Sequence, residues 1–218
     1  MKPDWNTIDT VLLDMDGTLL DLNFDNHFWQ YHLPRRYAEH HGRDHNEVRS
    51  ELMRRFKAHE GTLPWYSVDF WTDELALDLM VLKEEVAHLI DIHPGVPEFL
   101  GAARAGGKRV LLVTNAHHKS LTLKMARTGL AAHFDAMITS HELGLPKEDV
   151  TFWDALREVH PFDPARTLLV DDTIAVLDSA HRYGIAELRA IARPDTQQPE
   201  RAPTRYAALN SFHDLLPL

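Results

Sequence analysis

The chain has 218 residues, 44% of them hydrophobic and 26% charged, so it is long enough to bury a full core, as one domain or as a core domain with a smaller insert. Its net charge of −10 and the lack of a basic cluster argue against nucleic-acid or anionic-membrane partners. Because it contains no cysteine, disulfides, thiolate metal sites and cysteine nucleophiles are excluded.

Outside one long segment, predicted strands and helices alternate along the chain. Apolar runs predict buried strands at residues 10–13, 109–113, 136–139, 167–170 and 187–191. Such continuous runs suit parallel strands that are covered on both faces. Amphipathic segments predict helices over about residues 94–105, 119–128, 148–159 and 174–183. This alternation predicts an α/β fold with a doubly wound, Rossmann-like parallel sheet.

Residues 22–92 interrupt the alternation and contain no strand-like run. Val48, Leu52 and Phe56 share one apolar helix face, and other apolar stripes follow, so the segment predicts three or four helices. A helical insert directly after the first strand would lie above that strand's carboxyl end as a lid. We therefore predict a discontinuous catalytic core, residues 1–21 and 93–218, and a helical cap domain, residues 22–92.

Asp14 and Asp16 are the most informative residues of the sequence. They follow the apolar run of the first predicted strand and precede Gly17 and Thr18. Two carboxylates placed there repel each other and lose hydration, so they need a cation or a chemical role. The carboxyl ends of strands in open α/β sheets are where ligands bind. The pair therefore predicts a metal-assisted catalytic site.

Further polar residues follow the other predicted strands and are expected at the same sheet edge: Thr114, Asn115, Lys147, Asp171 and Asp172. Clustered carboxylates suit Mg²⁺, which takes one or two of them together with water and phosphate oxygens. An ammonium and a hydroxyl can bind the oxygens of a transferring phosphoryl group. One carboxylate can attack phosphorus while a second one transfers protons.

The pattern Asp-x-Asp-Gly-Thr, followed in order by Thr114, Lys147 and the pair Asp171 and Asp172, resembles the four motifs of the haloacid dehalogenase-like hydrolases. The resemblance covers nearly the whole chain, and the helical insert stands in the position of that family's type-1 cap. Two departures are visible. Pro146 precedes Lys147 where the family commonly has proline after it, and the next acid, Asp178, falls later than usual.

The resemblance implies a role for each motif residue. Asp14 would be the nucleophile and Asp16 the general acid/base. Mg²⁺ would be held by the Asp14 carboxylate, the Asp16 backbone carbonyl and Asp172, with Asp171 assisting directly or through water. The substrate phosphate would be held by Thr114 and Lys147.

A closer resemblance, to the bacterial GMP/IMP nucleotidases within this family, is carried by residues 14–26, 62–66 and 114–117. It implies hydrolysis of purine 5′-monophosphates. Trp65 and Tyr66 of the cap could stack on a base, or they could pack the cap helices together. Asn115 is a further candidate for substrate contact.

Several alternatives remain open from the sequence. A phosphatase for a sugar phosphate or another small metabolite would share the core. A dehalogenase attacks carbon and needs neither Asp16 nor Mg²⁺, and a non-catalytic metal-binding interaction protein would leave the acids unused. Asp21 and Asp25 are expected in a solvated turn or helix cap. The histidines of polar stretches, His117 among them, are expected on solvated faces, with entry into a helix as the further structural role for His117. With no apolar signal region and no membrane-length run, we expect a cytoplasmic protein. We also expect it to be a monomer and to bind a small phosphate ester.

Overall fold

A computed structural model describes residues 2–218, and a six-stranded parallel sheet lies at its centre. The strands are β1 (Thr10–Leu13), β2 (Arg109–Thr114), β3 (Ala136–Thr139), β4 (Thr167–Val170), β5 (Glu187–Ile191) and β6 (Ala207–Leu209). Their order across the sheet is β3-β2-β1-β4-β5-β6. The predicted doubly wound α/β fold is confirmed, because the chain moves outward from β1 in both directions.

The described part of the chain has eleven α-helices, and the first six of them lie between β1 and the seventh helix in the sequence. In chain order they are α1 (Asn23–His27), α2 (Leu33–His41), α3 (His45–His59), α4 (Leu63–Tyr66), α5 (Val68–Leu75), α6 (Leu79–Glu85), α7 (Val96–Ala105), α8 (His118–Thr128), α9 (Ser140–Leu143), α10 (Thr151–Val159) and α11 (Ile174–Tyr183). A π-helical turn, Phe28–His32, joins α1 to α2. None of the helices described combines the length and apolarity needed to cross a bilayer.

Two apolar layers cover the faces of the sheet. Side chains alternate along each strand, so Val11 and Leu13 belong to one layer and Leu12 to the other. Phe99 packs in the first layer and Trp153 in the second. With every residue of β1 buried on both sides, the carboxyl end of this central strand is held rigidly.

The cap, which we define as residues 22–92, has an apolar core of its own. Phe28, Leu52 and Trp71 are among its buried side chains. Two backbone hydrogen bonds join the segments that enter and leave it: Asp21 N–H donates to Asp91 at 3.0 Å, and His93 N–H donates to Leu19 at 2.9 Å. Both crossings therefore lie side by side, next to the end of β1.

Candidate active site

The predicted site residues meet at one edge of the sheet. β1 pairs with β2 on one side and with β4 on the other. Its last residue, Leu13, lies opposite Leu112 of β2 and Val170 of β4. Asp14 follows β1, Thr114 ends β2, and Asp171 and Asp172 follow β4. Adjacent parallel strands present their carboxyl ends together, so the convergence predicted from the sequence is what the structure has.

Lys147, from the loop between α9 and α10, is buried at the centre of the cluster. Its Nζ donates to Asp14 Oδ1 at 2.6 Å, to Asp171 Oδ2 at 2.7 Å and to the Val113 carbonyl at 3.1 Å. Burial alone would lower the pKa of Lys147, but the two carboxylates outweigh it and raise that pKa. Lys147 is therefore a fixed positive charge beside the Asp14 carboxylate.

Three carboxylates form a group suited to a metal ion. Asp14, Asp171 and Asp172 each present an oxygen within 4.8 Å of the others. Burial raises the pKa of each to about 6, and a neighbouring carboxylate adds to each shift, while Lys147 opposes it. Buried carboxylate oxygens that repel each other are the ligands Mg²⁺ prefers, so these residues fit that ion.

Asp178 lies outside this group. Its Oδ1 accepts hydrogen bonds from Tyr206 Oη and from Arg205, both at 2.6 Å. The late spacing of this acid in the sequence is thus matched by a structural role near β6. Asp178 therefore takes no part in the group formed by Asp14, Asp171 and Asp172.

Gly17 shapes the turn between Asp14 and the cap. Its φ of 81° lies in the left-handed region, and its N–H donates to the Leu20 carbonyl at 2.7 Å. A Cβ at this position would stand 2.8 Å from the Asp172 carboxyl group. The motif therefore needs glycine for its backbone conformation and for the close approach of Asp172.

Asp16 has a lysine partner that the sequence analysis did not identify. Lys124 Nζ donates to Asp16 Oδ1 at 2.6 Å, and the same ammonium donates to Asp25 Oδ2 at 2.5 Å. Burial raises the pKa of Asp16 to about 6, and Lys124 opposes that shift. The expectation that Asp25 lies in a solvated turn or a helix cap is wrong, because its carboxylate pairs with Lys124 and with Lys83 and makes no cap hydrogen bond. The available signal was a charge in the apolar stripe of α8.

Hydrogen bonds of Thr114 and Asn115 fix the end of β2 and the loop that carries Lys147. Thr114 is buried, and its Oγ1 accepts the N–H of Ala116 at 3.0 Å. The Asn115 side chain accepts the N–H of Lys147 at 3.0 Å and donates to Glu148 Oε2 at 3.0 Å. Asn115 therefore anchors the lysine loop to β2, and its role in substrate contact stays a prediction.

A cavity of about 650 Å³ lies between the strand ends and the cap, large enough for a nucleotide-sized ligand. The candidate residues Trp65 and Tyr66 line it, and both are partly exposed. Tyr66 Oη donates to Glu148 Oε1 at 2.5 Å. Trp71 is fully buried and donates through Nε1 to the Trp65 carbonyl at 3.0 Å, so it serves to pack the cap.

His117 contradicts the expectation of a solvated face, although it does stand at the entry of α8 as the N-cap residue. It is 6% exposed, lines the cavity, and has no hydrogen-bond partner at Nδ1 among residues 2–218. Burial lowers the pKa of His117 to about 4, so the ring is neutral at physiological pH. Its position three residues after Thr114 in the sequence gave no signal of this burial.

Comparisons with known proteins agree with this geometry. A family model described as haloacid dehalogenase-like hydrolase matches residues 8–184. The chain is 38% identical over 213 residues to a GMP/IMP nucleotidase of Escherichia coli, covering 98% of this chain and 96% of that protein. A pyrimidine 5′-nucleotidase of the same organism is 30% identical over 108 residues, which is 47% of this chain and 48% of that protein.

Two solved structures share the fold. A HAD phosphatase from Thermococcus onnurineus superimposes with a TM-score of 0.79 at 21% identity, covering 95% of this chain and 96% of its own. An L-2-haloacid dehalogenase from Xanthobacter autotrophicus gives a TM-score of 0.58 at 16% identity, with the same coverage. At these identities the likeness shows a common fold alone.

Proposed function

The chain belongs to the haloacid dehalogenase-like hydrolases, and we propose that it is a Mg²⁺-dependent phosphomonoesterase acting on purine 5′-nucleotides, with GMP and IMP as substrates. The observation that carries the reaction class is the buried contact of Lys147 with Asp14 and Asp171 beside Asp172. The substrate assignment rests on the likeness, over nearly the full length, to a GMP/IMP nucleotidase.

In the proposed mechanism Asp14 attacks the phosphorus atom. A bond forms between a carboxylate oxygen and phosphorus while the bond to the ribose 5′ oxygen breaks. Asp16 gives its proton to that leaving oxygen, so a neutral alcohol departs. Asp16 then takes a proton from water, which attacks the phosphorus and restores the Asp14 carboxylate.

Asp14, Asp172 and the Asp16 backbone carbonyl would hold the Mg²⁺ ion, with Asp171 assisting. The ion supplies positive charge to the phosphoryl oxygens. Lys147 adds a second positive charge from its position beside Asp14. Together these charges would draw the phosphate dianion to a site that is otherwise strongly acidic.

The remaining groups would bind the substrate around the phosphate. Thr114 and Lys147 would hold the phosphate oxygens at the strand ends. Trp65 and Tyr66 would take the base between the cap and the core, with Asn115 at the boundary. The cap, residues 22–92, would act as a domain that covers the site and limits the access of bulk water.

The dehalogenase alternative receives no support from the side chains. A reaction at carbon gives Asp16 and the metal-binding group no role, yet Asp14, Asp171 and Asp172 are buried together and Asp16 lines the same cavity. The sugar-phosphatase alternative would use the same core, but the aromatic lining of the cavity favours a ligand with a flat ring.

A panel of phosphate esters assayed with and without metal tests the proposal. We expect EDTA to stop hydrolysis and Mg²⁺ to restore it, and kcat/KM for GMP and IMP to exceed the values for pyrimidine nucleotides and sugar phosphates. Activity indifferent to both EDTA and Mg²⁺ would contradict the site. A higher kcat/KM for a sugar phosphate would contradict the substrate assignment.

A further inference from the structure

Four charged side chains form a continuous chain from the catalytic loop into the cap. Asp16 Oδ1 accepts from Lys124 at 2.6 Å, and Lys124 also donates to Asp25 Oδ2 at 2.5 Å. The other oxygen of Asp25 accepts from Lys83 at 3.2 Å. Asp16 and Lys124 belong to the core, whereas Asp25 and Lys83 belong to the cap. This series of ion pairs therefore crosses the boundary between the core and the cap.

Both lysines are as deeply buried as core residues. Lys83 and Lys124 are each 1% exposed. Burying a charge is costly even when it is paired, and well-packed apolar side chains of similar size commonly stabilise a fold equally well. Stability alone is therefore a weak reason for two buried ammonium groups at this place, and a role in the neighbouring reaction explains them better.

Aromatic rings hold the two ammonium groups in place. Lys83 Nζ lies 4.5 Å from the centre of the Phe28 ring and 5.0 Å from that of Phe24, and Lys124 Nζ lies 5.1 Å from the Phe24 ring. Cation–π attraction at these distances adds to the ion pairs. Because Phe24 contacts both lysines, neither of them can move without disturbing the other.

We infer that Lys124 is a positioning residue for Asp16, and that Asp25 and Lys83 tie this positioning to the docked cap. Lys124 holds one carboxyl oxygen, Oδ1, while the Asp16 side chain lines the substrate cavity. The carboxyl group is thereby kept in one orientation at the point where the leaving oxygen departs. This inference rests on the proposed phosphatase function and assigns no contact with substrate to Lys124.

The inference predicts a dependence on the leaving group. A ribose 5′ oxygen needs a proton when its bond to phosphorus breaks, so its release depends on a well-placed Asp16. A p-nitrophenolate leaves as a stable anion and needs little help. Loss of Lys124 should therefore slow the first ester far more than the second, whereas simple damage to the fold would slow both equally.

The test compares kcat/KM for IMP and for p-nitrophenyl phosphate in Lys124→Met. The ratio of kcat/KM for IMP to kcat/KM for p-nitrophenyl phosphate is independent of the folded fraction, because the same folded molecules hydrolyse both esters. We expect kcat/KM for IMP to fall by about 10²-fold and that for p-nitrophenyl phosphate by less than about 10-fold. Lys119→Met is the matched control, since Lys119 lies on the same helix and forms an exposed cap–core ion pair with Asp69 at 2.5 Å.

The outcomes separate the inference from the function on which it rests. Wild-type protein that hydrolyses neither ester contradicts the proposed function. Active wild-type protein whose Lys124→Met variant loses both activities by the same factor, or whose Lys119→Met variant shifts the ratio as much, contradicts the positioning role. An unchanged ratio in Lys119→Met together with a shift in Lys124→Met supports it.

Discussion

At the scale of single residues, Gly17 joins a backbone requirement to the metal-binding group. Its left-handed φ and the 2.8 Å approach of the Asp172 carboxyl group both exclude a side chain. Gly129 shares the left-handed φ, at 70°, but has open space around it and lies at the end of α8. Alanine at Gly129 therefore measures the loss of stability from the left-handed conformation alone, whereas alanine at Gly17 adds the clash with Asp172.

We expect Gly129→Ala to lower the free energy of unfolding by ~1–2 kcal/mol because of the left-handed conformation, and Gly17→Ala to lower it by more, because its methyl group also meets the Asp172 carboxyl group. Only Gly17→Ala should also lose activity, by more than about 10-fold, since the methyl group displaces Asp172. Urea unfolding and kcat/KM measure the two effects. An equal kcat/KM in the two variants would show that the close approach of Gly17 to Asp172 does not affect activity.

The predictability of the site differs between its residues. Asp14, Thr114, Asp171 and Asp172 could be predicted because each follows an apolar strand, and parallel strands end at one edge. The pairing of Lys124 with Asp16 could not, because a charge in the apolar stripe of α8 indicates burial, whereas its partner depends on how α8 packs against the loop after β1. Such docking follows from three-dimensional packing that no local pattern in the sequence encodes.

At the scale of elements, α4 carries two of the aromatic side chains that line the cavity. Trp65 and Tyr66 line it with ring centres 4.9 Å apart, while Trp71 on α5 is buried beneath them. Neighbouring aromatic residues of the cap thus have different environments. The sequence left stacking and packing open as alternatives for Trp65 and Tyr66, and the exposure of both rings in the cavity leaves base stacking a prediction for each.

Trp65→Ala should weaken the binding of a purine base. Base–aromatic stacking contributes about 1–3 kcal/mol, so kcat/KM for IMP should fall roughly 5- to 150-fold. Ribose 5-phosphate has no base, and its kcat/KM should stay within about twofold of the wild-type value, since its phosphate contacts are unchanged. An equal loss for both esters would assign Trp65 to packing of the cap.

The elements themselves were predicted unevenly. The first five strands match their apolar runs, and α11 has the predicted bounds, Ile174–Tyr183. The sequence pattern does not predict β6, because Ala207–Leu209 is a short edge strand with only Leu209 buried. The helix expected from residue 148 begins at Thr151, since Glu148 is held by Tyr66 and Asn115.

At the scale of the whole molecule, the buried acids link stability to pH and metal. The pKa of Asp14, Asp171 and Asp172 is raised to about 6, so without metal each stabilises the fold most while protonated. That contribution is lost as the pH rises through about 6. A divalent cation needs the ionised carboxylates, so its binding strengthens over the same range.

We therefore expect saturating Mg²⁺ to raise the Tm by several degrees at about pH 7.5 and by much less at about pH 5. Differential scanning fluorimetry with Mg²⁺ or EDTA measures the difference. Asp178→Asn serves as a control, because Asp178 lies away from the cluster and should keep the full effect. An equal rise in Tm at both pH values would argue against metal binding by these carboxylates.

In the proposed reaction Asp14 forms a covalent bond to phosphorus while the cap and core enclose the substrate. Acid-quenched single turnover with radiolabelled p-nitrophenyl phosphate tests it most directly, because p-nitrophenolate leaves with little help from Asp16, so that Asp16→Asn slows mainly the breakdown of the intermediate. We predict hydroxylamine-sensitive label on Asp14, and a loss of about 10³-fold or more of kcat/KM in Asp14→Asn. The absence of any covalent label, together with near wild-type turnover by Asp14→Asn, would contradict the account.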